Sequence, residues 1–206
     1  MRKTGIFGGT FNPPHKGHLK LAGQFMDSLG LDRMLVIPAC VPPHKQAPEL
    51  ASGADRMALC RELFRGDQFE VSDLELTRGG RSYTCDTARI LKEMYPEDEL
   101  YLIVGSDMLV TLHAWYRPME IISRCKVCAA TRGDLPRERL LDYVKTHFPD
   151  HQDRFVISGI EPVIVSSTQL RAQIASGADV SDYLTPGEIA YILEKGLYHA
   201  GYTAQR

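Results

Sequence analysis

Short apolar runs alternate with amphipathic stretches along the first two-thirds of the chain. The first run ends at Ile6 and Phe7, and apolar residues at helical spacing then continue to Leu29, just before Gly30. Such a pattern predicts strands and helices in turn. Further strands are predicted at residues 34–38, 69–76, 100–104, 126–131, 155–157 and 162–165, and further helices at 52–63, 84–94, 137–148, 168–175 and 186–194, with a short one from Pro118.

This alternation is typical of an α/β protein with an open, doubly wound parallel sheet. In such sheets ligands bind beyond the carboxyl ends of the strands, so the candidate site lies in the loops at residues 8–17, 39–53, 77–83 and 105–117. We expect one domain over residues 1–206, with a sheet core over about 1–165 and a C-terminal helical elaboration over about 166–206.

The charge balance restricts the partners. The chain has 26 acidic and 24 basic residues and a formal net charge of −2, so it lacks the basic excess of a nucleic-acid coat protein. Its apolar runs are much shorter than the roughly 18 residues of a membrane helix, and no secretory signal follows Met1. We therefore expect a cytoplasmic protein that binds neither nucleic acid nor membrane, while the oligomeric state is not indicated.

The cysteines suggest structural roles. Their number, five, is odd, which suits a reducing compartment. Cys125 and Cys128 form a CxxC pair, a spacing that elsewhere holds zinc or a redox disulfide. Because the pair lies in a predicted strand, where residues three apart point to opposite faces, we expect it to be structural. No metal site made of protein side chains is predicted.

The loop after the first strand carries the strongest chemical signal. Its candidate residues are Gly8, Gly9, Thr10, Phe11, His15 and His18. Adjacent glycines let backbone N–H groups approach an anion, and the positive end of the next helix lies beside His18. The pattern is neither the Rossmann nor the P-loop glycine motif. It predicts a phosphate pocket, and a glycine turn with helix-capping histidines is the alternative.

A second candidate for phosphate binding lies near the C-terminus. Ser167 and Thr168 are expected to cap a helix whose N–H groups face an anion, and Arg171 adds guanidinium donors one turn later. A helix cap without any ligand is the simpler interpretation of this segment when it is taken alone.

Together the two segments resemble the signature motifs of the nucleotidyltransferase superfamily. Residues 9–18 match its (H/T)xGH motif, with Asn12 where many members have Asp, and residues 165–171 match its ISSTxxR motif. The resemblance implies a Rossmann-like nucleotidyltransferase fold. It also implies that His15 and His18 stabilise the α-phosphate of ATP. The residues implied to bind the β- and γ-phosphates are Ser167, Thr168 and Arg171.

Further segments resemble the bacterial nicotinate-nucleotide adenylyltransferases. They are residues 42–45, 78–87, 105–107 with Trp115, and the C-terminal stretch 191–198, so the resemblance covers most of the chain. It implies transfer of AMP from ATP to nicotinate mononucleotide, which gives nicotinate adenine dinucleotide and pyrophosphate in NAD biosynthesis. Mg²⁺ is the expected cofactor, bound mainly through the ATP phosphates.

The acceptor residues have physical rationales with simpler alternatives. Lys45 suits the phosphate of a mononucleotide, although a solvated surface lysine has the same pattern. The segment Ser82, Tyr83 and Thr84 opens a helix whose N–H groups can donate hydrogen bonds to a carboxylate, and a helix start without a ligand explains it equally well.

Two candidates follow the fourth strand. Trp115 can stack on a pyridine ring or simply pack into the core. Asp107, just after Gly105, can bind ribose hydroxyls or begin a helix.

Three other functions stay open. The same adenylyl transfer could use nicotinamide mononucleotide, because one carboxylate-for-amide exchange is recognised by backbone groups that a sequence does not show. Phosphopantetheine is a further acceptor within the superfamily. A nucleotide-sensing protein without catalysis is the alternative of a different class.

Overall fold

A computed structural model of the chain describes residues 1–42, 50–131, 135–160 and 165–199. Six strands form one parallel sheet in the order β3-β2-β1-β4-β5-β6. The strand order reverses between β1 and β4, the switch point at which ligands bind in sheets of this type. The strands are β1 (Lys3–Gly9), β2 (Arg33–Pro38), β3 (Phe69–Val71), β4 (Glu99–Val104), β5 (Cys125–Ala130) and β6 (Phe155–Ser158). The α/β, doubly wound prediction is therefore confirmed.

Helices join the strands and complete the C-terminal part. They are α1 (Lys16–Leu29), α2 (Gly53–Leu63), α3 (Leu74–Arg78), α4 (Thr84–Met94), α5 (Ser106–Leu109), α6 (Pro118–Arg124), α7 (Arg137–His147), α8 (Ser167–Ala175) and α9 (Pro186–Lys195), with 3₁₀ turns at Leu112–Ala114 and Pro149–Arg154. No helix within the described parts of the chain has the length and apolar character that a bilayer span requires.

The chain divides into two compact units, and the prediction of a single domain stays a prediction. The first unit comprises the described parts of residues 1–8, 21–35 and 83–162, and the second those of 9–20, 36–82 and 163–206. In the first unit, the residues of β4 from Leu100 to Val104 are all buried, as the continuous apolar run predicts for a strand covered on both faces. Cys125 and Cys128 are buried in β5 as free thiols, in keeping with a structural role.

Gly5 in β1 marks a close approach in the first unit. A Cβ atom placed there would lie 2.5 Å from Sδ of Met34 and 2.9 Å from Cδ1 of Leu31. The absence of a side chain at this position lets both apolar side chains pack against the strand.

The second unit has its own apolar cluster, which α2 and the C-terminal helices share. Its buried members are Ala51, Leu59, Leu170, Ile174, Val180, Leu184, Ile192, Leu197 and Tyr198. Helix α9 begins with a capping box in which the Thr185 side chain accepts from the Glu188 N–H and the Glu188 side chain accepts from the Thr185 N–H. The predicted C-terminal helices are thus present, and Leu193 on α9 is 61% exposed.

The third strand is shorter than predicted. The prediction of a strand over residues 69–76 was wrong after Val71, because Leu74–Arg78 forms helix α3. The Ser72 hydroxyl accepts from the Leu74 N–H at 3.3 Å, and Asp73 occupies the N-cap position of the helix. Short polar residues of this kind favour a turn, which ends the strand. Residues 162–164 of the last predicted strand lie outside the described residues.

Candidate functional site

The loop between β1 and α1 is tightly built around Phe11. The Phe11 ring is 2% exposed, and a Cβ on Gly9 would lie only 2.9 Å from its Cζ atom. Phe11 has a φ of 49°, in the left-handed region that few residues other than glycine adopt. Its ring meets His18 edge to face at 5.2 Å. Phe11 therefore packs against the His18 ring. Because its own ring is buried, only its backbone is suited to contact a ligand.

His15 and His18 form a stacked pair where α1 begins. Their ring centroids lie 3.6 Å apart at an interplanar angle of 26°. The backbone N–H of His15 donates to Nδ1 of His18 at 3.2 Å. A neutral His18 with an accepting Nδ1 carries its proton on Nε2, which makes Nε2 a hydrogen-bond donor. The two histidines of the predicted phosphate loop thus lie together, at the positive end of a helix.

The two rings differ in their surroundings. His15 is 4% exposed, and its Nδ1 is buried without a hydrogen-bond partner in the part of the chain that the structure describes. Burial lowers the pKa of His15 from 6.5 to about 4, because desolvation disfavours the protonated ring. His15 is therefore neutral at pH 7 in this structure. His18 is half-buried.

Side chains from elsewhere in the second unit hold three carbonyl groups of this loop. Nη1 of Arg56 donates to the carbonyl oxygen of Thr10, and Nη1 of Arg171 donates to that of Asn12, each at 2.9 Å. The Ser167 hydroxyl donates to the carbonyl oxygen of Pro13, also at 2.9 Å. These donors compensate the negative ends of the loop peptides, which makes the loop a better host for an anion.

The prediction that Ser167 and Thr168 cap helix α8 was wrong. The N-cap residue is Ser166, and it makes no side-chain capping bond. Ser167 instead gives its hydroxyl to the loop carbonyl, and the exposed Thr168 accepts from Nη2 of Arg171 at 3.4 Å. The structure therefore brings Ser167 and Arg171 to the segment with the two histidines (residues 10–18, the histidine loop), as the two motifs together predict. Both side chains bond to the backbone of that loop.

The sequence did not indicate two buried residues that also bond to this loop, Arg56 and Tyr198. Arg56 is 1% exposed and also donates from Nε to the Ala51 carbonyl at 3.0 Å. Tyr198 donates its hydroxyl to Oδ1 of Asn12 at 2.9 Å. A charged arginine within a predicted helix gives little sign of burial, and the Tyr198 contact spans 186 positions of the chain.

The acceptor candidates lie in three places. Ser82 belongs to the second unit, is 5% exposed, and accepts through Oγ from the Cys40 N–H at 2.8 Å, so its side chain already holds the loop after β2. Lys45, with the neighbouring His44, lies outside the described residues. Tyr83, Thr84 and Trp115 belong to the first unit.

In the first unit, the start of α4 meets the segment that carries Trp115. Tyr83 is the N-cap residue of α4 and Thr84 its first residue, as predicted. The Tyr83 ring contacts the Tyr116 ring at 4.6 Å between centroids. Trp115 is half-buried, and its Nε1 donates to the Thr111 hydroxyl at 3.1 Å. The predicted carboxylate-binding helix start and the predicted stacking residue are thus neighbours.

Gly105 and Asp107 shape the turn after β4 in the first unit. Gly105 is the N-cap residue of the short helix α5, and Asp107 is exposed at its second position. A Cβ on Gly105 would lie 2.5 Å from Oδ1 of Asp107. The glycine therefore allows the Asp107 carboxylate to fold back over the turn.

Comparisons with known proteins identify the family to which the chain belongs. The cytidylyltransferase-like family model matches residues 6–173. A "Probable nicotinate-nucleotide adenylyltransferase" of Neisseria meningitidis serogroup C is 39% identical, covering 96% of this chain and 99% of its own. The nicotinate-nucleotide adenylyltransferase of Bacillus subtilis is 34% identical, covering 97% of this chain and all of its own.

A solved structure shares the fold. It is that of Plasmodium falciparum nicotinic acid mononucleotide adenylyltransferase complexed with NaAD, which has a TM-score of 0.76 and 20% identity and covers 96% of this chain and 98% of its own. The sequence matches extend over the loop with His15 and His18 and over helix α8 with Arg171. The chain belongs to the cytidylyltransferase-like family and, within it, to the nicotinate-nucleotide adenylyltransferases.

Proposed function

We propose that the protein transfers AMP from ATP to nicotinate mononucleotide. A phosphate oxygen of the mononucleotide forms a bond to the α-phosphorus of ATP, and the bond from that phosphorus to the bridging oxygen of pyrophosphate breaks. The stacked His15 and His18 at the start of α1 carry this proposal, because the reaction needs donors beside the α-phosphate. The named relatives support the choice of acceptor.

The protein needs neither a nucleophile nor a general base for this reaction. The attacking phosphate oxygen is already ionised at neutral pH, so catalysis consists of in-line positioning and charge stabilisation. Nε2–H of His18 donates to an α-phosphate oxygen. His15, kept neutral by burial, can donate from its ring N–H toward the α-phosphate, which stabilises the negative charge that builds up there.

Ser167, Thr168 and Arg171 bind the β- and γ-phosphates in this proposal. A guanidinium has five N–H donors in a fixed fork, so Arg171 can hold the Asn12 carbonyl and a phosphate oxygen together. The backbone N–H groups of residues 8–11 complete the ATP site, and Thr10 contacts both substrates. Asp107, beyond Gly105, binds the ribose of ATP.

In this proposal the nicotinate ring and its carboxylate each have their own contacts. The ring stacks on Trp115, and the backbone N–H groups at Tyr83 and Thr84 donate to its carboxylate; Ser82 is a further contact of the acceptor. Lys45 binds the phosphate of the mononucleotide and steadies it for attack.

Mg²⁺ enters with ATP in this proposal. In residues 1–42, 50–131, 135–160 and 165–199, no group of three or more His, Cys, Asp or Glu side chains could hold a metal ion. Mg²⁺ prefers phosphate oxygens and water to a protein cage. The triphosphate would therefore hold the ion, and the ion when bound would neutralise charge on the pyrophosphate.

The test is pyrophosphate release from Mg-ATP with three acceptors in parallel. We expect rapid release with nicotinate mononucleotide and a kcat/KM at least about tenfold lower with nicotinamide mononucleotide, a difference of about 1.4 kcal/mol. Release with phosphopantetheine alone would overturn the acceptor and keep the phosphate chemistry. No release with any acceptor, together with tight ATP binding, would favour a nucleotide-sensing protein.

A further inference from the structure

Asn12 is the junction at which three distant segments of the second unit meet. Its side chain is buried, with 3% of the residue exposed. Oδ1 accepts from the Ala51 N–H at 3.0 Å and from the Tyr198 hydroxyl at 2.9 Å. Its carbonyl oxygen accepts from Arg171 at 2.9 Å. One residue of the histidine loop therefore connects to the start of α2, to α8 and to the C-terminal segment.

A change at Asn12 is transmitted to the histidines through a short path. Asn12 lies between Phe11, whose ring supports His18, and His15, whose N–H bonds Nδ1 of His18. The left-handed backbone at Phe11 cannot relax freely, because that conformation persists only where the surroundings fix it. Movement of the Asn12 side chain would therefore shift the His15 and His18 rings, which the proposed function places beside the reacting phosphate.

Tyr198 is built to hold its hydroxyl in place. The residue is 4% exposed and belongs to the apolar cluster with Leu184, Ile192 and Leu197. Its φ of 62° lies in the left-handed region, which is costly for a residue with a side chain. The surrounding packing thus fixes both ring and backbone, so the hydroxyl reaches Oδ1 of Asn12 from a rigid base.

We propose that Tyr198 is a positioning residue for adenylyl transfer. Through its hydroxyl on Asn12, the C-terminal segment sets the geometry of the loop that carries His15 and His18. This proposal rests on the proposed function for its kinetic consequence, but the change in the loop is independent of the substrate.

The chain offers a matched control for the loss of this hydroxyl. Tyr191 lies in the same C-terminal segment, packs against the same apolar cluster, and donates its hydroxyl to Oδ1 of Asp55 at 3.0 Å. Tyr191→Phe removes one hydrogen bond of similar length without touching the histidine loop. Tyr198→Phe removes the bond to Asn12 and keeps the ring that fills the core.

The experiment compares the two variants with the unchanged protein by kinetics and thermal unfolding. We expect both variants to lose similar amounts of Tm. Tyr198→Phe should lower kcat about tenfold with little change in either KM, since a small misplacement of catalytic groups has effects of this order or larger, whereas Tyr191→Phe should keep its kcat. Equal kcat values for the two variants would overturn the proposal and leave Tyr198 a structural residue.

A double-mutant cycle locates the coupling. Tyr198→Phe should have little further effect on kcat in an Asn12→Ala background, because the acceptor of the hydroxyl is already gone. Multiplicative effects on kcat would show that the hydroxyl acts by another route. If Asn12→Ala does not fold, the comparison with Tyr191→Phe still decides the question.

A second readout needs no substrate. NMR spectra of the imidazole rings, assigned with a His18→Ala variant, should show shifted His18 resonances in Tyr198→Phe and unchanged ones in Tyr191→Phe. Unchanged His18 resonances in Tyr198→Phe would overturn the proposal. Shifted resonances in a protein that shows no adenylyl transfer with any acceptor would instead count against the proposed function alone.

Discussion

Glu188 makes the stability of the second unit depend on pH in a direction that can be worked out. The residue is fully buried at the start of α9; Oε2 accepts from the Thr185 N–H at 2.8 Å, and Oε1 has no hydrogen-bond partner among the described residues. Burial, aided by the nearby charge of Glu62, raises the pKa of Glu188 from 4.5 to about 7, and the Thr185 bonds and Lys16 only partly oppose this.

The sign follows from proton binding. Between pH 4.5 and 7 the folded chain keeps the Glu188 proton and the unfolded chain releases it, so folding becomes less favourable as the pH rises through this window. Each pKa unit corresponds to about 1.4 kcal/mol, which gives an upper value of about 3 kcal/mol for the stability lost by pH 8. Glu188→Gln stays neutral at every pH and can still accept from the Thr185 N–H.

The assay is urea unfolding of the unchanged protein and of Glu188→Gln at pH 5, 6, 7 and 8. We expect the variant to gain about 2–3 kcal/mol relative to the unchanged protein between pH 5 and pH 8. His15, whose pKa burial lowers to about 4, destabilises both proteins equally as the pH falls below 6.5, so it cancels in the difference.

A control variant removes the same charge from an exposed position of the same helix. Glu194 is exposed on α9, and Glu194→Gln should change the free energy of unfolding by less than about 0.5 kcal/mol. A difference between Glu188→Gln and the unchanged protein that stays constant from pH 5 to pH 8 would refute the reasoning.

Other changes test the site and the buried thiols. His18→Ala should lower kcat by about 10²–10³ in a folded protein, as for the loss of one transition-state donor, and near-normal turnover would remove His18 from the mechanism. Arg171→Ala should raise KM for ATP more than KM for the mononucleotide; steady-state kinetics with each substrate varied would contradict this if both rise equally. Trp115→Ala should raise KM for the mononucleotide and leave KM for ATP nearly unchanged, and the reverse pattern would argue against stacking. Because burial raises the pKa of both Cys125 and Cys128 to about 12, a thiol reagent should modify them only after unfolding, and labelled peptides from the folded protein, identified by mass spectrometry, would contradict this.

Local signals account for the parts of the fold that the sequence predicts well. Ser52 accepts from the Asp55 N–H at 3.1 Å and begins α2 as its N-cap, and Gly30, with a φ of 59°, follows the end of α1. Such caps and stops act within one turn of chain, so spacing alone reveals them. Helix α3 was not predicted, because Leu74 and Leu76 continue an apolar alternation that equally suits a strand.

In the candidate site, too, local contacts could be predicted from the sequence and long-range contacts could not. His15 and His18 are three residues apart, and a single turn of chain brings their rings together. The bond from Ser167 to the Pro13 carbonyl spans 154 positions, and no periodicity or motif specifies which atom a distant hydroxyl will reach. The sequence therefore indicates the chemistry of the phosphate loop, while tertiary packing decides how that loop is held.

How the loop is held matters for what it can bind. A peptide carbonyl that lacks a donor presents negative charge to an incoming triphosphate, and it costs free energy if buried. Arg56, Arg171 and Ser167 supply donors to three successive parts of the loop backbone, and two of these donors are themselves positively charged. The electrostatic potential that the histidine loop presents to ATP therefore depends on residues from α2 and α8 as well as on the glycines that precede the loop. Arg56 in particular, 1% exposed and more than forty positions away from Thr10, contributes its charge without needing to touch a substrate.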